Sequence, residues 1–115
     1  MATKELRIGI LGCGGFMGRS HGNGWNQMPI FFYPPPAMPV KAVACDIVKD
    51  KVDEYVNQWG WKKGMTDYKQ MINKGEIDVL DNVTPNDAHL EPILMAADAG
   101  IHILCEKPLA RTLDE

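Results

Sequence analysis

Gly9-Ile10-Leu11-Gly12-Cys13-Gly14-Gly15-Phe16-Met17-Gly18 closes a short apolar run, Leu6 to Leu11, and opens a helix-like stretch over residues 15–27. The run is short, apolar and bounded by glycine, as a buried parallel strand should be. Glycines at such a strand–turn–helix have three uses. One permits the tight turn, one lets backbone approach a diphosphate, and one lets helix and strand pack closely. A diphosphate then fits over the helix N-terminus, where free N–H groups and the dipole favour negative charge. The stretch therefore reads as a dinucleotide-binding turn, with Gly12, Gly14, Gly15, Phe16, Met17 and Gly18 against the cofactor. Its register is open. Counting from Gly12, the third glycine of the fingerprint falls on Met17, and Gly18 is one residue late; counting back from Gly18 makes Gly15 the second glycine and puts Cys13 first. Either the turn holds an extra residue or the register is shifted.

Outward from this turn the chain alternates strand and helix. Pro29 is expected to end the first helix, which Gly18, Gly22 and Gly24 weaken by about 1 kcal/mol each. Val40 to Cys45 reads as a second strand. Val52, Tyr55, Val56 and Trp59 form an i, i+3, i+4, i+7 stripe closed by Gly60, the clearest amphipathic helix. A short helix is expected from Thr66, as N-cap, to Gly75. Strand Ile77 to Val83, helix 91–99 with Pro92 in its first turn and Gly100 past its end, and strand Ile101 to Cys105 follow, with a last helix from near Thr112. Strands spaced by helices imply an α/β, Rossmann-type, doubly wound parallel sheet of about five strands with helices on both faces. The proline-rich segment 29–39 breaks the rhythm. It reads as a surface loop whose aromatics pack back on the domain or against a partner surface, ahead of a proline-rich ligand motif.

Bulk properties narrow the function. At 115 residues there is room for one domain, and 45% apolar with 23% charged residues is ordinary for a globular protein. A net charge of −3, with no basic stripe, argues against nucleic acid. No long apolar run suggests a membrane span, and Met1-Ala2-Thr3-Lys4-Glu5 passes straight into the first strand without a leader, so a cytoplasmic location is expected. Cys13, Cys45 and Cys105 lack C-x-x-C spacing and read as small buried hydrophobes in a reducing compartment; no metal site is expected. Trp25, Trp59 and Trp61 read as packing aromatics.

The second strand ends at Asp46. A carboxylate there accepts hydrogen bonds from the adenosine ribose and repels a 2′-phosphate, which favours NAD over NADP, although Lys49 and Lys51 stand nearby. The proline-rich loop carries Asp46 beyond the spacing of about 20 residues usual for this pattern. The competing reading of Asp46 is a cap for the following helix.

Gly-Gly-Phe-Met-Gly-Arg-Ser-His (14–21), Thr84-Pro85-Asn86 followed by His89, and Glu106-Lys107-Pro108 together resemble the glucose–fructose oxidoreductase/inositol 2-dehydrogenase (Gfo/Idh/MocA) family, in the right order over nearly the whole chain. The resemblance implies that Thr84, Pro85 and Asn86 lie beside the cofactor. It also implies that Glu106 and Lys107 reach toward the nicotinamide, with Lys107 catalytic through the substrate hydroxyl. An ammonium beside a reacting oxygen stabilises developing negative charge and can relay a proton, so the role is chemically apt. His89 joins the cofactor side by the same resemblance, although ordering the loop before Pro92 is the stronger reading. His21 reads equally as helix packing or as a cofactor contact.

Members of that family carry a second domain that supplies most of the substrate pocket and a proton-transfer pair. None of this is found in residues 1–115, and nothing after Lys107 could serve as the base. The sequence thus reads as an incomplete cofactor domain of an oxidoreductase acting on a sugar, polyol or related hydroxy compound. The alternative is a non-catalytic dinucleotide-binding module or inactive fragment. Alone, the chain is expected to be inactive and to self-associate through an open sheet edge and the aromatics of 30–33.

Overall fold

The computed structural model describes residues 4–115; Met1 to Thr3, on which part of the no-leader expectation rests, lie outside the described residues. The chain runs β1 (Glu5–Leu11), α1 (Phe16–Phe31), β2 (Met38–Cys45), α2 (Lys49–Trp59), β3 (Lys63–Met65), α3 (Tyr68–Asn73), β4 (Val79–Asn82), a 3₁₀ turn at Asn86–Ala88, α4 (Leu90–Asp98) and β5 (His102–Cys105). All strand pairings are parallel, in the order β3-β2-β1-β4-β5. The chain builds outward from β1 to β3, then crosses back to add β4 and β5 on the other side. Between β1 and β4 the direction of winding reverses, and such a switch point opens a crevice at the carboxyl ends of the strands.

Strand alternation divides the core in two. Ile8 and Ile10 of β1 face α1 and α2, joining Val52, Tyr55 and Trp61. Leu11 faces the other way, into a cluster with Met71, Ile72, Leu80 and Ala96 under α3 and α4. Helices therefore cover both faces, as the alternation of elements requires. Ile10 and Leu80 are fully buried. Truncating either to alanine costs about 2–5 kcal/mol by the usual sum of transfer and cavity terms. Tyr55 lies 6.1 Å from Trp59 and 5.9 Å from Trp61 between ring centroids, the aromatic packing anticipated for the two tryptophans.

Several boundaries depart from expectation. Pro29 does not end α1, which runs to Phe31. A proline so near a C-terminus removes one ladder bond, and the helix still closes with the Phe32 N–H donating to the Met28 carbonyl at 3.0 Å. The N-cap of α3 is Asp67, whose carboxylate accepts from the Lys69 N–H at 2.9 Å; Thr66 lies one residue too early. Strand β3 has Gly64 at its centre and no apolar run, so periodicity does not reveal it. No helix forms from Thr112. Its hydroxyl accepts from the Glu115 N–H at 3.2 Å and Glu115 pairs back with Arg111, but no helical bond follows. Phe31, Phe32 and Tyr33 do not pack back on the domain; they stand 75%, 66% and 84% exposed. No helix among the described residues is long and apolar enough to cross a membrane.

Candidate functional site

At the carboxyl ends of β1, β2, β4 and β5 lies a groove of about 720 Å³. The segments just past these four strands line it: the glycine turn, Asp46, Val83 to Asn86, and Glu106 with Lys107. The sheet ladders continue into these segments and fix them. Gly12 N–H donates to the Cys45 carbonyl at 2.8 Å, Val83 N–H to Leu11 at 2.9 Å, and Glu106 N–H to Asn82 at 2.9 Å.

The turn resolves its own register. Gly12 takes φ +93°, a conformation side-chain-bearing residues rarely adopt, and a Cβ there would sit 2.9 Å from the Thr84 nitrogen. Gly18, in the first turn of α1, is the close-packing glycine, because a Cβ on it would approach the Cys13 carbonyl oxygen to 2.2 Å. The turn therefore starts at Gly12 and holds one residue more than the usual fingerprint. Gly18 itself is buried and does not line the groove. Helix α1 begins with Gly15 as N-cap, without a capping side chain or an acidic residue in its first turn. Among the described residues the Phe16 and Met17 N–H groups have no protein partner. Bare amides at a helix N-terminus, with glycine in front of them, fit a diphosphate by donor count and by dipole.

Asp46 does two jobs. One carboxylate oxygen accepts from the Gly14 N–H at 2.9 Å, and the other from the Val48 N–H at 3.2 Å ahead of α2. The residue therefore lines the groove and bonds the N-cap residue Val48 from two positions before it, but does not itself cap α2, as the competing reading expected. Each oxygen keeps a free lone pair for a hydroxyl. Ile47, 88% exposed, and Val48 follow on the groove lip and present an apolar surface on which a flat heterocycle could rest.

Thr84, Pro85 and Asn86 form the middle of the groove, with the Asn82 carboxamide oxygen accepting from both Thr84 N–H and Oγ1. His89 is buried beneath this loop and does not line the groove. Its Nε2 lies 2.9 Å from the Thr84 carbonyl and its Nδ1 3.0 Å from that of Pro108. It ties the segment after β4 to the segment after β5, the loop-ordering role weighed for it from sequence. Asn86 Nδ2 donates to the same Pro108 carbonyl at 2.8 Å.

At the far end Glu106 is half-buried and Lys107 exposed. Glu106 accepts the Lys107 N–H at 3.0 Å on one oxygen, and its other oxygen lies 2.9 Å from His21 Nε2. These two contacts, the Lys107 N–H first, hold the Glu106 carboxyl below the usual carboxylate range. His21 Nδ1 is in turn 2.9 Å from Asp81, to which Trp25 Nε1 donates at 2.8 Å. Burial pushes the Asp81 carboxyl up, opposed by Trp25 and then by His21. Buried thiols Cys13 and Cys45 are pushed up to about 12, chiefly by desolvation, and are inert neutral groups at ordinary pH. Among the described residues no group of three or more His, Cys, Asp or Glu is arranged to hold a metal.

The structure thus gathers Gly12, Gly14, Gly15, Phe16, Met17, Asp46, Thr84, Pro85, Asn86, Glu106 and Lys107 along one groove, and leaves Gly18 and His89 as buried supports. Sequence reading missed Ile47, Val48 and Asp81, whereas Lys51, noted from sequence beside Asp46, does line the groove. The apolar pair directly after an acidic strand end was the available signal for the first two. Nothing in sequence marked Asp81, which sits within an apolar strand.

Residues 6–115 match the family model described as oxidoreductase family, NAD-binding Rossmann fold. The chain belongs to that family. It is 41% identical over 112 residues to levoglucosan dehydrogenase of Pseudarthrobacter phenanthrenivorans, covering 97% of this chain and 28% of that protein. D-glucoside 3-dehydrogenase of Escherichia coli is 28% identical over 115 residues, with 30% of its length covered. Among solved structures, levoglucosan dehydrogenase in complex with NADH and L-sorbose aligns with a TM-score of 0.91 at 41% identity, over 96% of this chain and 29% of that one. Scyllo-inositol dehydrogenase from Lactobacillus casei, with bound NAD(H) and scyllo-inositol, aligns at 0.80 and 25% identity over 96% of this chain and 30% of that one. The chain spans less than a third of the length of the relatives it matches.

Proposed function

We propose that this chain is the NAD(H)-binding segment of a dehydrogenase acting on a sugar, polyol or related hydroxy compound. One observation carries the reading: four strand ends converge on a single groove whose head is a bare helix N-terminus faced by glycine. The Phe16 and Met17 amides, with Gly14 and Gly15 allowing close approach, would bind the diphosphate. Asp46 would accept the adenosine ribose hydroxyls and disfavour a 2′-phosphate, and Ile47 and Val48 would flank the base. Thr84, Pro85 and Asn86 would line the path to the reactive end, where Glu106 and Lys107 stand. A bound nicotinamide supplies or accepts the hydride. Lys107 is the group proposed to touch the substrate, its ammonium holding the oxygen whose charge or proton changes as hydride moves. The names of the relatives support the substrate class. The three free cysteines suit a reducing, cytoplasmic compartment, and the exposed aromatics of 31–33 suit a homo-oligomer.

Fluorescence titration of the chain with NADH and NADPH tests this reading. Saturable NADH binding that outcompetes NADPH is expected; no binding of either would sink it.

A further inference from the structure

Asp81 lies fully buried within β4, and strand alternation aims it at α1. A buried carboxylate is tolerated only when hydrogen-bonded. Here Trp25 Nε1 donates to it at 2.8 Å, and His21 Nδ1 lies 2.9 and 3.0 Å from its two oxygens. That much would be a sufficient account of how α1 packs on β4. The ring does more, because its other nitrogen reaches Glu106 at 2.9 Å, and Glu106 in turn accepts the Lys107 N–H. A continuous line of polar contacts therefore runs from the sheet interior to the backbone of Lys107. Carboxylates only accept, so with both ionised each ring nitrogen must carry a proton; with Asp81 protonated, the ring is still held at both ends. The segment so held has need of support. Strand β5 has four residues and, among the described residues, pairs on one side only, with β4, and Lys107 beyond it is exposed.

We propose that His21 is a positioning residue for the reactive end of the groove: anchored on Asp81, it fixes the Glu106 carboxylate and, through it, the turn that presents Lys107. The proposal rests on the reading of the groove given above, in which Glu106 and Lys107 face the nicotinamide half.

The test uses the isotopically labelled 115-residue chain and three variants, His21→Gln, Glu106→Ala and the double substitution. In the unliganded protein each single variant should shift the Lys107 amide resonance and speed its solvent exchange about tenfold, the loss of one charge-assisted hydrogen bond. The Gly14 amide, bonded to Asp46 at the opposite end, should not move. NADH and ADP-ribose are then titrated, the second lacking nicotinamide. His21→Gln should weaken NADH about tenfold and leave ADP-ribose unchanged, and the double variant should be no weaker than Glu106→Ala. An unmoved Lys107 amide in His21→Gln, equal losses for the two ligands, or additive effects would overturn the proposal. Should His21→Gln fail to fold, Glu106→Ala decides through the His21 Nε2 resonance, which must move if the contact exists. Failure of the parent chain to bind either ligand would overturn the dinucleotide reading and the nicotinamide part of the proposal with it. The amide shift would still decide whether His21 fixes Lys107.

Discussion

The Cα of Gly18 faces the carbonyl oxygen of Cys13 so closely that a Cβ at position 18 would lie 2.2 Å from it. Backbone cannot move aside as a flexible side chain can, so Gly18→Ala should destabilise the fold by about 2 kcal/mol or more, at the upper end of overpacking effects. Gly24, in the same helix, has nothing among the described residues within 4 Å of its Cβ position. Gly24→Ala should gain up to about 1 kcal/mol from helix propensity. Paired denaturant melts check both signs; a neutral Gly18→Ala would mean that α1 does not lie on the turn as described.

Asp46→Ala should weaken NADH about tenfold or more and collapse its advantage over NADPH. The carboxylate is the proposed acceptor for ribose, and it also holds the Gly14 and Val48 amides. Calorimetric titration of both dinucleotides measures the ratio. An unchanged ratio would assign Asp46 to the entry of α2 alone.

The glycine turn, the acidic strand end and the two tripeptide segments were legible in the sequence because each is local. A turn needing positive φ at Gly12, and a lysine next to Glu106 and Pro108, leave their mark within a few residues. Strand β3 was not legible, since Lys63-Gly64-Met65 has neither alternation nor bulk and takes its shape from pairing with β2. The extra residue in the turn was visible as a misfit, but choosing between the two registers required the Cys13–Gly18 contact. His21 remained ambiguous for the same reason. Its partners Asp81 and Glu106 lie 60 and 85 residues away, and no spacing rule reaches that far.

In a polypeptide that joins this segment to a substrate domain, Lys107→Met should cut turnover by about 10²-fold or more while NADH affinity changes little. A group that stabilises charge only as hydride moves contributes to kcat and not to cofactor binding. Steady-state kinetics beside cofactor titration separates the two, and near-normal turnover would reassign Lys107 to structure.

Acid should weaken the fold in part through Asp78. Arg7 donates to it from Nε at 3.1 Å, from Nη2 at 2.9 Å and from its backbone N–H at 2.8 Å, and these bonds hold the carboxyl below the ordinary aspartate range. The native state therefore binds this proton less readily than the unfolded chain. The stabilisation is complete above the unfolded value and is lost as pH falls through the depressed native one. Asp78→Asn should thus melt lower than the parent near neutral pH, with the gap closing in acid. A gap independent of pH would point to packing.

Self-association should follow from the aromatic segment. Ile30, Phe31, Phe32 and Tyr33 are each at least 66% exposed and adjacent in the chain, an apolar patch that water disfavours. Light scattering over a concentration series should show oligomers that Phe31→Ser with Phe32→Ser reduces to monomer. Unchanged association in that variant would move the contact elsewhere.

The 85-residue reach from His21 to Glu106 also orders events in time. A chain emerging from the ribosome can draw Gly14 onto Asp46 across 32 residues, so the proposed diphosphate end has left the ribosome before β4 and β5 have emerged. The Lys107 end must wait until β5 has been synthesised and paired with β4. A stalled or clipped nascent chain would therefore carry the glycine turn and Asp46 without Lys107, and the order of translation itself keeps Lys107 from being placed before the rest of the groove exists.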